Sequence, residues 1–304
     1  MRILLWHVHG AWTTAFVQGG HDYVVPVLPD RSADGVGIAQ TYDWPDTVTE
    51  VPLDQINEER FDVVVYQRPH ELELHPPGDA QAIYVEHNAP QGRIAEMRHP
   101  VADRDDLTLV HVTHFNALFW DAGATPTRVI EHGIVDPGPR YSGDIPHAAV
   151  VINEARRRRR VTGTDLLERF RAAAPIDLFG MDAPTLGGED LSQGELHDAM
   201  ARRRVYLHPI RWTSLGLSLL EAMHLAMPVV VLGTTEAHEA VPPEAGAIST
   251  RVDVLAESLQ RLVNDPEEAR ARGELARAHV LSRYGLERFL SDWDELLVPA
   301  EVAP

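Results

Sequence analysis

The sequence predicts an α/β protein of two doubly wound parallel-sheet domains. Short apolar runs recur along the chain with helix-compatible stretches between them, the alternation that lays helices over a parallel sheet. The length of 304 residues suits two medium domains better than one. Residues 214–232 read as a glycine-bearing loop, an amphipathic helix and then a strand. Leu219, Leu220, Met223 and Met227 fall at helical spacing there, and an apolar run from Pro228 follows at once. The first turn of such a helix offers unpaired N–H groups and the positive end of its dipole, a natural seat for phosphate. Periodicity alone leaves an ordinary core helix equally open.

Composition narrows the function classes. A hydrophobic fraction of 44% is enough for proper cores. No apolar run approaches the roughly 18 residues of a membrane span, so no stable membrane insertion is expected. The apolar start at residues 3–8 is too short for a signal peptide and reads as a first strand. The chain has no cysteine, which excludes thiol catalysis, disulfides and cysteine-bound zinc. A cytoplasmic protein is expected. The net charge of −19 argues against nucleic-acid partners. Every one of the 27 basic side chains is arginine, a bias of genomes rich in G and C, such as an actinobacterium's. Any phosphate must therefore be met by guanidinium groups or backbone amides.

In order, residues 3–8 form the first strand. His7, His9 and Gly10 follow, with a helix starting near Thr13, and Gly10 would let the loop approach a ligand closely. The spacing is not the G-x-G-x-x-G of dinucleotide binding. A plain strand-to-helix turn with two exposed histidines also fits. Residues 23–28 form a second strand. Residues 29–60, broken by Pro29, Gly35, Gly37, Pro45 and Pro52, read as loops or short elements. Further strands are expected at residues 61–66, 82–86, 107–112 and 128–131, with a helix at 115–122 ending at Gly123. This makes six strands in a compact doubly wound domain. Glu86, His87 and Asn88 sit at the carboxyl end of one strand, the edge where open α/β sheets bind ligands. His87 is read either as a ligand contact or as a loop histidine capping backbone groups. His111 and His114 lack a third ligand at metal-site spacing, so no metal is expected. Residues 136–146 have the proline and glycine content of a linker.

The second domain opens with a strand at 148–152. Asn153, Glu154 and Ala155 come next, then five consecutive arginines at 156–160. The run is either a solvated basic face or an anion grip. A helix at 164–173, a strand at 176–179 ending at Gly180, a helix at 193–203 and a strand at 205–207 follow. Beyond the central segment come a short element at 236–240 and a strand at 247–250. A helix at 253–263 carries Val254, Leu255, Leu259 and Leu262 on one face. Asp265, Pro266 and Glu268 form a strong helix start, and that helix stops at Gly285. Leu286, Phe289, Leu290, Trp293, Leu296 and Leu297 stripe the last helix.

Residues 208–232 resemble the donor segment of GT-B glycosyltransferases of the family-4-like, retaining kind. That family carries two glutamates seven residues apart, then Ala-Met and a short turn into Pro-Val-Val. Glu221, Ala222, Met223 and Pro228 to Val230 match, while Thr213 stands at the first glutamate's position. The resemblance implies two Rossmann-like domains facing a cleft: residues 1–140 on the acceptor side, 141–285 on the donor side, and 286–304 returning as a helix to the first. By resemblance Glu221 binds the nucleotide ribose. Thr213 can hydrogen-bond a sugar hydroxyl but supplies no carboxylate. Ser214, Leu215, Gly216, Leu217 and Ser218 form the turn over the diphosphate. His87 is similar to a family histidine directed at the donor sugar, and Gly180-Met181 to a turn near the base. Glu131 to Ile134 resemble the turn that ends the first domain. The family grips the diphosphate with basic residues just after the second domain's first strand; Arg156, Arg158 and Arg160 are the candidates here, in a register that the sequence leaves open.

The resemblance implies transfer of a hexosyl group from a nucleotide-diphosphate sugar to a hydroxyl of a glycan acceptor with retained configuration, without a metal or other cofactor. GDP-mannose is the expected donor, with UDP-glucose next, and a homodimer is allowed. His87, Arg158 and Arg160 are the expected catalytic groups. Two alternatives remain: a nucleotide-sugar-binding protein without catalysis, suggested by Thr213, and a GT-B-type epimerase acting on the donor sugar alone.

Overall fold

The computed structural model describes residues 1–298. The chain divides into two compact units, one formed by Met1–Val135 with the segment from Leu286 onward, the other by Asp136–Gly285.

The first unit holds a seven-stranded sheet in the order β3-β2-β1-β4-β5-β6-β7, all parallel. Its strands are β1 (Arg2–Leu5), β2 (Asp22–Val27), β3 (Val48–Pro52), β4 (Val63–Tyr66), β5 (Gln81–Glu86), β6 (Thr108–His111) and β7 (Thr127–Val129). Ile3, Leu4 and Leu5, or Val63, Val64 and Val65, are consecutive and all buried, because a parallel sheet is covered on both faces. β3 is the strand missing from the sequence reading. It lies at the edge between Pro45 and Pro52, pairs with β2 from Tyr23↔Val48 to Val27↔Pro52, and carries no continuous apolar signal because most of its residues are partly exposed.

The final helix, Leu286–Leu297, buries Phe289, Trp293 and Leu297, one residue per turn. It meets the helix Gly10–Phe16: Trp293 lies 5.8 Å from the Trp12 ring and 4.9 Å from Phe16, both edge-on. Gly133 admits Phe289, since a Cβ there would come within 2.3 Å of the phenyl's Cβ. Arg288 donates to the backbone carbonyls of Glu131, at 3.1 Å, and His132, at 2.5 Å.

The second unit holds five parallel strands in the order β12-β11-β10-β8-β9. They are β8 (Ile145–Val151), β9 (Ile176–Phe179), β10 (Arg203–His208), β11 (Val229–Leu232) and β12 (Gly246–Ser249). The core gathers Val150, Leu178, Val205, Leu207 and Val230 under the helix Val252–Asn264, which contributes Leu255, Leu259 and Leu262. The next helix, Pro266–Arg283, starts where Asp265 accepts from the backbone of Glu267 and Glu268 at 3.1 and 2.9 Å. Residues 136–146, expected as a linker, are bound to this unit instead. Asp136 forms a two-pronged pair with Arg277, and the amides of Tyr141 and Ser142 reach the carbonyls of Leu225 and Ala201. Ordered polar contacts outweigh the residues' turn-forming composition here.

Candidate functional site

In the second sheet β8 lies between β10 and the edge strand β9. The chain leaves it for β9 on one side and later returns as β10 on the other. The carboxyl ends of β8 and β10 therefore form a switch point, where adjacent loops diverge and open α/β sheets bind ligands. The loop after β8 carries the arginines; the loop after β10 carries Thr213 to Ser218. Sequence alone did not reveal that they are neighbours.

The first loop is pinned at both ends. Asn153 Oδ1 accepts from the Met181 amide at 3.0 Å, and the Glu154 amide donates to the Met181 carbonyl at 2.8 Å. Gly180 adopts φ +122°, and a Cβ there would lie 2.6 Å from the Ile152 carbonyl oxygen, so only glycine fits the turn. At the far end Gly163 has φ +72°, with the Pro209 carbonyl oxygen 1.9 Å from where a Cβ would sit. The two loops are also stitched directly: the amides of Arg211 and Trp212 both donate to the Val161 carbonyl, at 2.9 and 3.2 Å.

This frame sorts four of the five arginines. Arg156 donates to the Thr185 carbonyl at 2.8 Å. Arg157 is paired with Glu154. Arg160, with a side chain 75% exposed, reaches Asp165 only at 3.4 Å. Asp165 is held more firmly by Arg211, at 2.5 and 3.0 Å, and Arg211 also donates to the Arg160 carbonyl at 2.8 Å. Arg158 is half-buried, and its side chain has no hydrogen bond or ion pair among the described residues. Burial first, and the Arg157 charge second, hold its pKa below the usual guanidinium value. Glu154 offsets this only in part, and a desolvated cation without a hydrogen-bonded partner is costly unless an anion arrives. Thr162, directly before Gly163, is fully buried and uncharged, so any cation at this turn comes from the arginine run or from Arg211. Arg211 was missed because it stands alone between Pro209 and Trp212 with no pattern around it.

Across from this loop, the helix Leu217–His224 begins after Gly216, which has no side chain to cap the first turn. The Leu219 amide turns back to the Gly216 carbonyl at 3.0 Å, and the amides of Gly216, Leu217 and Ser218 before it have no intrahelical partner. His208 fixes the approach, since a Cβ on Gly216 would lie 2.4 Å from its Cε1; burial pushes its imidazole down to about 4. Ser214 and Leu215 are buried and Thr213 is half-buried. The Ser218 hydroxyl lies 2.8 Å from that of Tyr206, which leaves the Ser218 backbone amide as the group with spare donor capacity. Glu221, one turn into the helix, is 6% exposed. Its Oε1 accepts from Gln193 Nε2 at 2.8 Å, and its Oε2 lies 3.7 Å from His197 Nε2.

The remaining candidates are in the first unit. His87 follows β5 as expected but is buried, its ring 4.0 Å from His9 and 5.0 Å from the edge of Trp12. Burial, with His9 and His132 nearby, drives its pKa well below the usual imidazole value. His9 is the more exposed ring of that pair; burial and then Arg68 bring it to about 4. Gly10 opens the helix Gly10–Phe16 three residues earlier than expected. The ring of Tyr42 lies 2.8 Å from where its Cβ would be, so the fold itself requires the glycine. His111, the last residue of β6, is buried, and no group of three or more acidic or histidine side chains among the described residues could hold a metal ion. No helix among them is long and apolar enough to cross a membrane.

Comparison with known proteins bears on the same segment. Residues 188–279 match the family model described as Glycosyl transferases group 1, a stretch that spans Gln193, the loop after β10 and Glu221. No curated protein matches the sequence. Among solved structures, sucrose-phosphate synthase from Thermosynechococcus elongatus superposes with a TM-score of 0.71 at 15% identity, covering 97% of this chain and 98% of that one. HepE from Anabaena, solved with UDP, gives 0.70 at 14% identity over 98% and 99%. A TarM mutant from S. aureus, solved with fondaparinux, α-GlcNAc-glycerol and UDP, gives 0.60 at 14% identity over 77% of this chain and 55% of that one. The chain thus spans about half of TarM and nearly all of the other two. These likenesses define the fold as GT-B: two parallel-sheet, Rossmann-like domains.

Proposed function

We propose that this protein is a glycosyltransferase that moves a hexosyl group from a nucleotide-diphosphate sugar to a hydroxyl of a glycan acceptor, with its donor site at the β8/β10 switch point. The observation that carries the reading is Arg158, a half-buried guanidinium that makes no hydrogen bond or ion pair among the described residues, on a loop stitched to the one that leads into the uncapped helix Leu217–His224. The family match over residues 188–279 supports it.

In this reading the diphosphate lies against Arg158 and the amides of Gly216, Leu217 and Ser218. Arg160, exposed and weakly held, swings in as a second cation. As the bond from the sugar C1 to the phosphate oxygen breaks, positive charge grows on the ring and negative charge on the departing diphosphate. The preorganised cation and amides stabilise the latter. The acceptor oxygen bonds to C1 on the same face, and its proton passes to the leaving phosphate oxygen, which retains configuration without a protein base. Glu221 accepts hydrogen bonds from the ribose hydroxyls and fixes the donor, lowering the entropic part of the barrier. Guanidinium groups carry the diphosphate charge, so the reaction is metal-independent.

GDP-mannose remains the first donor to test, followed by UDP-glucose; the UDP bound in the HepE and TarM structures supports a uridine donor. Thr213, where the family's first glutamate would stand, favours one other reading: a protein that binds nucleotide sugars without transferring them. Thermal-shift titration with GDP, UDP and their sugars, followed by turnover against an acceptor library, decides between them. Stabilisation by mass action with transfer supports the enzyme; stabilisation without transfer supports the binding protein. A melting point indifferent to every nucleotide sinks both.

A further inference from the structure

We infer that Gln193 is a positioning residue for Glu221: its side-chain amide holds one carboxylate oxygen so that the other is presented to the ribose hydroxyls of the nucleotide. The inference rests on the ribose role given to Glu221 above.

The geometry starts with the helix Gln193–Arg202. Ser192 and Glu195 lock its first turn in a reciprocal capping box, with Glu195 Oε2 3.1 Å from the Ser192 amide. That fixes the helix phase and puts Gln193 and His197, four residues apart, on one face. The Gln193 amide nitrogen is 2.8 Å from Glu221 Oε1 and 2.9 Å from His197 Nε2. An amide has two N–H donors, and both are used. With the amide nitrogen donating, His197 Nε2 is the acceptor of that contact. Across the remaining gap, the 3.7 Å between His197 Nε2 and Glu221 Oε2 exceeds a hydrogen bond. Oε2 accepts no hydrogen bond among the described residues.

A glutamate side chain has several rotatable bonds, and ordering them at the moment of binding costs affinity. Here the ordering is done before the ligand arrives. Oε1 is occupied, Oε2 is available, and the fork through His197 prevents the amide from rotating away. Neither Gln193 nor His197 belongs to the glutamate, Ala-Met and Pro-Val-Val pattern around Glu221. They come from another helix 28 and 24 residues earlier in the chain, so only folding brings them to the carboxylate.

Calorimetric titration of the full chain with UDP and GDP, each beside its 2′,3′-dideoxy form, tests this. Wild-type protein should prefer the ribose form of whichever nucleotide it binds. Glu221→Ala should abolish that preference. Gln193→Ala should weaken binding of the ribose form roughly 5- to 30-fold while hardly changing the dideoxy form, so that the preference collapses. Gln193→Glu, of the same size, sets a second carboxylate against Glu221 and removes the amide donor, so the ribose preference should collapse in it as well. If Gln193→Ala keeps the wild-type preference while Glu221→Ala loses it, the positioning role is wrong and the ribose reading stands. If Glu221→Ala also keeps the preference, or wild type binds neither nucleotide, the ribose reading fails and takes this inference with it.

Discussion

Arg158→Ala separates a ligand site from a structural residue because the two roles predict opposite signs. In the free protein the guanidinium is half-buried, without a hydrogen bond or ion pair among the described residues, and its pKa is lowered mainly by desolvation. Removing it takes away a solvation penalty and breaks no bond. The free protein should therefore melt at the wild-type temperature or up to a few degrees higher. Binding should suffer: a charge-assisted hydrogen bond contributes about 1.5–3 kcal/mol, so affinity for GDP or UDP should fall about 10- to 150-fold. Arg157→Ala is the control. Its pair with Glu154 has side chains 69% and 42% exposed, and exposed pairs contribute little to stability. Differential scanning fluorimetry gives the first quantity and calorimetry the second. A lowered melting point with unchanged nucleotide affinity would return Arg158 to the scaffold and remove the main support for the donor site.

Gly163→Ala should destabilise by about 2–4 kcal/mol, since it adds the left-handed backbone penalty to an overlap with the Pro209 carbonyl at 1.9 Å; urea denaturation checks this, and a shift under 0.5 kcal/mol would mean that the two loops are not stitched as described. Phe289→Ala should cost about 3–5 kcal/mol because the ring is fully buried against Gly133; a near-neutral result would show that the last helix does not dock on its unit. Stability should also fall on acidification. His208 is brought to about 4 by burial, and His111 to about 4 by burial and then by His99. Their folded pKa values lie below the ordinary 6.5, so the unfolded chain binds more protons and stability is lost as pH falls from about 6.5 toward 4. Near pH 5 the loss is on the order of 2 kcal/mol per ring; equal urea midpoints at pH 7 and pH 5 would contradict the burial of both.

The fold class was readable because its signals are local. Valine runs such as residues 63–65 and 229–231 announce strands covered on both faces, and Asp265 with Pro266 announces a helix start. β3 escaped because an edge strand needs only one partner and need not be apolar throughout. The helix start at Gly10 was misplaced for a related reason: Tyr42, which lies against it, arrives from a distant loop.

Within the candidate site, the sequence by itself determined the kinds of group available: arginine in place of lysine for phosphate, a glutamate inside the helix that follows Gly216, and threonine at the position of the family's first glutamate. Only the tertiary structure decided which of them are free to act. Five adjacent arginines are alike as letters; Thr185, Glu154 and Asp165 distinguish three of them by contacts made through space. Sheet order placed the β8 and β10 loops side by side, and helix packing brought Gln193 to Glu221. The physical reason is range: backbone preference and apolar periodicity act over a few residues, whereas desolvation and hydrogen-bond partnership depend on whatever the fold sets within about 4 Å.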